Sequence, residues 1–112
     1  MTMAATNTTG RSADLAMPRD LYQLWNEYTM GLNNNKPASE FTAVERGRTK
    51  FRYARRKVFW DWVKSMINAG HTVNVAIDRV YQGYGRNLSV TQIINRLRKD
   101  RNDKRLHVLL RV

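Results

Sequence analysis

The sequence predicts an all-α fold, a compact single-domain bundle of about four to five helices whose long third helix turns from basic to amphipathic. Three observations predict it. Apolar residues recur at helical spacing in several separate stretches, which puts them on one face of each helix. Glycine, proline and asparagine punctuate those stretches, and Ser89 with Gln92 forms a capping-box signature. Three Trp, five Tyr and three Phe in 112 residues supply the large side chains of one modest core.

Residues 1–16 are rich in Thr and Ala without periodicity and read as a flexible lead, with order beginning near Met17. Pro18 suits a first helical position; Leu21, Leu24, Trp25, Tyr28 and Leu32 follow at helical spacing, and Gly31 with the NNNK run should end that helix. Pro37 opens a short second helix with Ala38, Phe41 and Val44 on one side, and Gly47 punctuates the chain. The third helix runs from about Lys50 to Ala69, stopped by Gly70, with Phe51, Val58, Phe59, Trp62, Val63, Met66 and Ile67 as its apolar stripe. A fourth, from about Val73 to Gln82, buries Val73, Ala76, Ile77 and Val80 until the glycines of QGYGRN break it. Val90, Ile93, Ile94 and Leu97 carry the fifth. The helical domain spans 17–99, and 100–112 form a basic tail whose LHVLLRV segment fits an edge strand, a helix extension or a mobile end.

The net charge of +11 is concentrated. Residues 1–45 carry three basic and five acidic side chains, 46–64 eight and one, 65–95 two and one, and 96–112 seven and two. Such clustering creates a local positive field that attracts phosphate or anionic lipid. In the stretch RGRTKFRYARRK, from Arg46 to Lys57, seven of twelve residues are Lys or Arg and none is acidic. Seven unpaired cations cannot be buried, so the cluster lies in water or against a polyanion. The absence of cysteine excludes disulfides and thiolate metal sites. No apolar run approaches the roughly 20 residues of a membrane span.

If the third helix already includes Arg48, then Arg48, Arg52 and Arg55 share an angular sector with Phe59, Trp62 and Met66. A single face cannot be both buried and strongly charged, so its N-terminal part projects past the core. Lys50, Lys57 and Lys64 form a second row on roughly the opposite face. Such a rod suits a DNA major groove about 12 Å wide. Arginines on the leading face can fork onto guanine O6 and N7 while lysines hold phosphates. The expected base or near-base contacts are Arg48, Arg52, Tyr53, Arg55 and Arg56; Arg46, Lys50, Lys57 and Lys64 are expected on phosphates. Arg96, Arg98, Lys99, Arg101, Lys104 and Arg105 add secondary phosphate contacts.

The order of these residues resembles a known family. LWNEYTMGL, KPASEF, FRYARRKVFWDWV and MINAGHTVNVAIDRV are similar to the C-terminal DNA-binding domain of the fungal activators of glycolytic genes, which also occurs in the high-osmolarity-induced transcription factor and in Crypton-type mobile elements. The pattern falls on Trp25, Glu27, Tyr28 and Gly31, on Pro37, on Phe51 and Arg52, on Arg55, Arg56 and Lys57 before Phe59 and Trp60, and on Gly70 with Ala76. It spans roughly residues 20–97. The resemblance implies an all-helical domain that binds short DNA sequences in the nucleus.

Other features read as structural. Trp25, Trp60 and Trp62 belong to packing, Trp60 being the weaker core candidate because it sits toward the side of the stripe. Glu27 suits an ion pair with the basic helix. His71 and His107 make a poor zinc site, and Tyr81 and Tyr84 lack the constellation of a recombinase nucleophile, so neither metal, cofactor nor enzymatic activity is expected. A helix-turn-helix of the fourth and fifth helices would instead face Gln92, Asn95, Arg96 and Lys99 to the groove, although QGYGRNLS is long for such a turn. The expected partner is double-stranded DNA, and a single reading helix calls for a second module, a dimer or a partner factor. Rival readings are a sequence-indifferent packaging protein and a basic protein-interaction module; a membrane-surface role comes last, because the cationic stretch lacks an apolar face.

Overall fold

Side-chain caps set most of the helix starts. The computed structural model describes residues 12–104. Helix α1 (Leu21–Thr29) begins where Asp20 accepts from the Gln23 N–H at 2.8 Å. A short 3-10 turn (Ala38–Glu40) follows, and α2 (Ala43–Arg48) opens on a reciprocal box between Thr42 and Glu45. Helix α3 (Lys50–Asn68) starts one residue after α2 ends, across Thr49. Helix α4 (Val73–Tyr84) is capped by Thr72, and α5 (Val90–Asn102) by the reciprocal box of Ser89 and Gln92. Each such cap satisfies an amide that the helix leaves unpaired, worth about 1 kcal/mol. Gly70, with φ of 97°, lets the His71 N–H return to the Met66 carbonyl and close α3.

Helix α3 is the pillar of an all-α single domain; α4 and α5 pack most closely on it, with α1 and α2 against it as well. Residues on a helix turn by about 100° each, so Trp60 and Trp62 point about 200° apart. Accordingly, the Trp60 indole donates to the Leu24 carbonyl of α1 at 2.9 Å, and that of Trp62 to the Ala76 carbonyl of α4 at 3.2 Å. Trp60 is 1% exposed, so the side of the stripe is core too, because α1 covers it. An aromatic chain extends from it: Tyr28 at 4.9 Å and Tyr53 at 5.2 Å between ring centroids, then Trp25 on Tyr28 and Phe41 on Tyr53.

Several boundaries differ from the sequence expectation. Order reaches back at least to Ser12, which bridges to Asn35, and Leu15 is buried in the core. Leu32 lies beyond α1. The expected second helix is split into the 3-10 turn and α2, because Phe41 is extended between them; Ala38 and Phe41 are buried while Val44 is exposed. Gly47 sits inside α2, and Gly83 inside α4; only Gly85, at φ 94°, ends α4. Phe51 and Ile67 are exposed; they stand in the first and last turns of α3, about 160° apart around its axis, beyond the part of the stripe that the other helices bury. Val73 is half-buried. The α5 helix continues to Asn102, past the expected limit of the domain at residue 99. Expectations for residues 105–112 lie outside the described residues.

One buried ion pair ties three segments together. Arg56 Nε donates to Glu27 Oε1 at 2.6 Å, and its Nη2 to the Ala16 carbonyl at 2.8 Å. The Ala16 N–H returns to Glu27 Oε2 at 2.8 Å. Burial lifts the Glu27 carboxyl above its ordinary range, and the Arg56 charge and the Ala16 N–H only partly offset that.

Arg56→Met should therefore cost about 3–5 kcal/mol near neutral pH in chemical denaturation, because it strands the Glu27 carboxylate. A carboxyl whose folded pKa is raised contributes stability that is fully present below its ordinary value of 4.5 and is lost as pH rises through the folded value. The penalty should shrink on mild acidification, and adding Glu27→Gln should abolish that pH dependence. Gly47 adopts no positive φ, and a Cβ there meets nothing within 4 Å. Gly47→Ala should raise stability by about 0.5–1 kcal/mol in the same assay.

Candidate nucleic-acid interface

The basic half of α3 outruns its own packing. From Lys50 to Arg55 every residue is exposed except the half-buried Tyr53, whereas Val58, Phe59 and Trp60 are almost wholly buried. The cause is the stripe itself: Arg52 and Arg55 occupy the sector that Phe59 and Met66 bury further along, and a guanidinium there must remain in water or find a carboxylate.

The nine side chains expected at the site divide into three groups. Lys50 and Arg55 on α3, with Arg48 on α2, are exposed and make no ion pair or hydrogen bond among the described residues. Arg48 belongs to α2 because the chain breaks its helix at Thr49, so it does not continue the α3 wheel. A second group is exposed but tethered. Arg46 donates to the Phe41 carbonyl at 2.6 Å, and Lys57 pairs with Asp61 at 2.8 Å. Arg52 pairs with Asp14 at 2.9 Å and reaches the Leu15 carbonyl at 3.3 Å. Lys64 donates to the Tyr28 hydroxyl at 3.1 Å, a contact that raises its pKa, and lies 3.6 Å from Asp61. The third group faces inward. Arg56 is buried on Glu27, with only its edge lining the groove described below, and the half-buried Tyr53 ring lies in the aromatic chain, so neither stands free on the surface as the sequence suggested. The reasons differ: Arg56 is covered by α1 and the segment before it, whereas the Tyr53 ring packs on Phe41, between the 3-10 turn and α2, and on Trp60. Glu27 is the ion-pair partner the sequence suggested.

Helix α5 joins this surface. Thr91 and Asn95 line one groove with Arg52, Arg55 and the Ala16–Pro18 segment. Asn95 was expected at a site only through the helix-turn-helix alternative, together with Gln92, Arg96 and Lys99, all of which are exposed. Thr91 had no signal of its own; only the docking of α5 on α3 brings it there. Arg96 and Lys99 border a separate concavity with Asp100, which accepts from the Tyr84 hydroxyl. Arg98 is half-buried, Arg101 reaches Asp61 at 4.0 Å, and Lys104 is exposed; Arg105 lies outside the described residues. Asp61 is the sole acid between Glu45 and Asp78, and it sits among Lys57, Lys64 and Arg101.

Both tyrosines considered as nucleophiles are occupied in packing: the Tyr81 hydroxyl accepts from the Leu21 N–H at 3.1 Å, and that of Tyr84 donates to Asp100. Among the described residues, no three His, Asp or Glu side chains cluster to hold a metal ion. No described helix is long and apolar enough to cross a membrane.

No curated protein and no solved structure matches the chain. A family model described as transcriptional activator of glycolytic enzymes matches residues 15–101, from the buried Leu15 to the last turn of α5. That match takes in α1 to α4, α5 up to Arg101 and all nine side chains expected at the site, and the chain belongs to this family of transcriptional activators.

Proposed function

We propose that the domain binds double-stranded DNA with sequence preference, inserting the N-terminal half of α3 into the major groove, as part of a transcriptional activator acting in the nucleus. The observation that carries this reading is the exposure of Lys50, Arg52 and Arg55 on a helix end that projects past the core, beside Thr91 and Asn95 of α5. Arginine forks onto guanine and asparagine onto adenine, so the two helices together offer the side-chain types that read both purines. Arg52 and Arg55 lead, with Asn95 beside them; Arg46, Arg48, Lys50, Lys57 and Lys64 hold phosphates, and Arg96, Arg98, Lys99, Arg101 and Lys104 extend the positive field along α5.

Asp14 has a place in this mechanism. The Leu15 N–H and Arg52 hold its carboxyl below the ordinary range, so it is ionised at neutral pH and occupies one edge of the Arg52 guanidinium. Arg55 has no such neighbour among the described residues and is the arginine available without rearrangement. The sequence-indifferent packaging reading shares the charge but assigns no role to Asn95.

Selection of bound duplexes from a random pool near physiological salt, with non-specific DNA and RNA competing, should enrich one short motif. Binding without enrichment would overturn the reading in favour of packaging. Arg55→Ala should cost about 1–3 kcal/mol on the selected motif and relax preference at a guanine. Asn95→Ala should relax preference at a different position. Lys57→Ala should weaken all sequences alike and reduce the salt slope by about one unit in titrations at several salt concentrations.

A further inference from the structure

The junction of α2 and α3 carries a surface that the charge reading leaves unexplained. Phe51 is 75% exposed, in the first turn of α3, while the apolar side chains from Val58 to Trp60 are almost completely buried. A single exposed apolar residue is ordinary on a protein surface. This one is distinguished by its surroundings. Gly47, Arg48, Thr49, Lys50 and Arg52 line a shallow concavity with it, and Lys50 Nζ stands 5.7 Å from the ring centroid. No acid occurs between Arg46 and Trp60.

Gly47 is a second, independent observation. It occupies α2 with no positive φ and with open space where a Cβ would stand, so neither backbone conformation nor internal packing requires glycine. A glycine in a helix weakens it relative to alanine. Its bare backbone lies on the wall of the same concavity as the Phe51 ring, which keeps that wall low and open from outside.

We infer that this concavity is an apolar base-reading contact: the Phe51 ring packs on the C5-methyl of a thymine, and Gly47 provides the clearance for the DNA to approach. The inference rests on the proposed entry of α3 into the major groove. Charge complementarity selects the occupant. An apolar protein partner would have to strip water from Arg48 and Lys50, which have no acidic partner among the described residues, without compensation. DNA supplies phosphates for those cations and, in the major groove, methyl groups for the ring. Wedge insertion between bases belongs to minor-groove binders, whereas Phe51 shares its helix with Arg52 and Arg55, the residues assigned to major-groove edges.

The test uses the full chain and the duplex selected from the random pool, with each thymine replaced in turn by uracil, which lacks only the methyl. Wild-type affinity should fall about fourfold at one thymine, the effect of one buried methyl. Phe51→Ala should bind the thymine and uracil duplexes equally, and Phe51→Leu should retain most of the methyl dependence. Gly47→Leu should weaken binding to the selected duplex. Thermal melts establish that each variant is folded, and exposure of both residues predicts that each is. Phe51→Ala leaving affinity unchanged, or weakening every duplex alike with the methyl dependence intact, would overturn the inference; so would a selected site without thymine. A wild-type chain that ranks no sequences defeats the groove reading itself, whereas ranking without coupling between Phe51 and a methyl defeats the thymine contact alone.

Discussion

The orientation of the charged helix end depends on the buried pair of Glu27 and Arg56. A carboxylate 2% exposed can remain only with its oxygens occupied, and here Arg56 and the Ala16 N–H occupy them. Arg56 in turn binds the Ala16 carbonyl, so α1, α3 and the segment before α1 meet at one polar knot. The desolvation that raises the Glu27 pKa shows that the pair is no simple source of stability. Its contribution is geometric: an apolar replacement of both partners would orphan the two Ala16 backbone groups. By holding the Ser12–Pro18 segment along α3, the knot also brings Asp14 to Arg52 and Ala16 to the rim of the groove beside Arg55.

Around that knot, α3 satisfies two opposed requirements by dividing its length. Its C-terminal half is clamped from two sides, Trp60 to α1 and Trp62 to α4, which leaves it little rotational freedom. Its N-terminal half extends the same rigid rod into solvent carrying cations, so the positions of Arg52 and Arg55 are set by packing about one and a half to three turns away. The proposed reading of base edges would draw on this kind of rigid support. Asp61 adds a further tie, linking Lys57 and Lys64 of α3 to Arg101 of α5. A carboxylate shared among three cations limits their mutual repulsion while leaving the net field positive.

Membership of the activator family and the charge distribution bear on different aspects of function. The family describes the process in which the chain takes part. The exposed cations, the groove shared by α3 and α5, and the Gly47–Phe51 concavity bear on how a polyanion would be held and discriminated. Because phosphate contacts dominate affinity and carry no direct sequence information, under the proposed reading any preference among sequences would come from the few side chains of α3 and α5 that meet base edges.

Local physics was legible in the residues. The capping box of Ser89 and Gln92, the stop at Gly70, the span of α3 and the segregation of charge follow from interactions within a few positions of the chain, so the all-helical fold, the core of α4 and the basic helix could be read directly. What only tertiary structure decided is which side of each helix another element covers. A helical wheel assigns angles, and by angle Arg56 and Trp60 lie to the side of the stripe while Phe51 lies on it, within about 20° of Val58 and Trp62. Packing of α1 and the preceding segment buries the first two, and the absence of any cover leaves the third in solvent. The same long-range packing set Thr91 and Asn95 beside Arg52 and Arg55, residues almost forty positions apart that no local pattern connects. Charge and periodicity are properties of the chain, but a partner for a buried guanidinium is available only once distant segments have met.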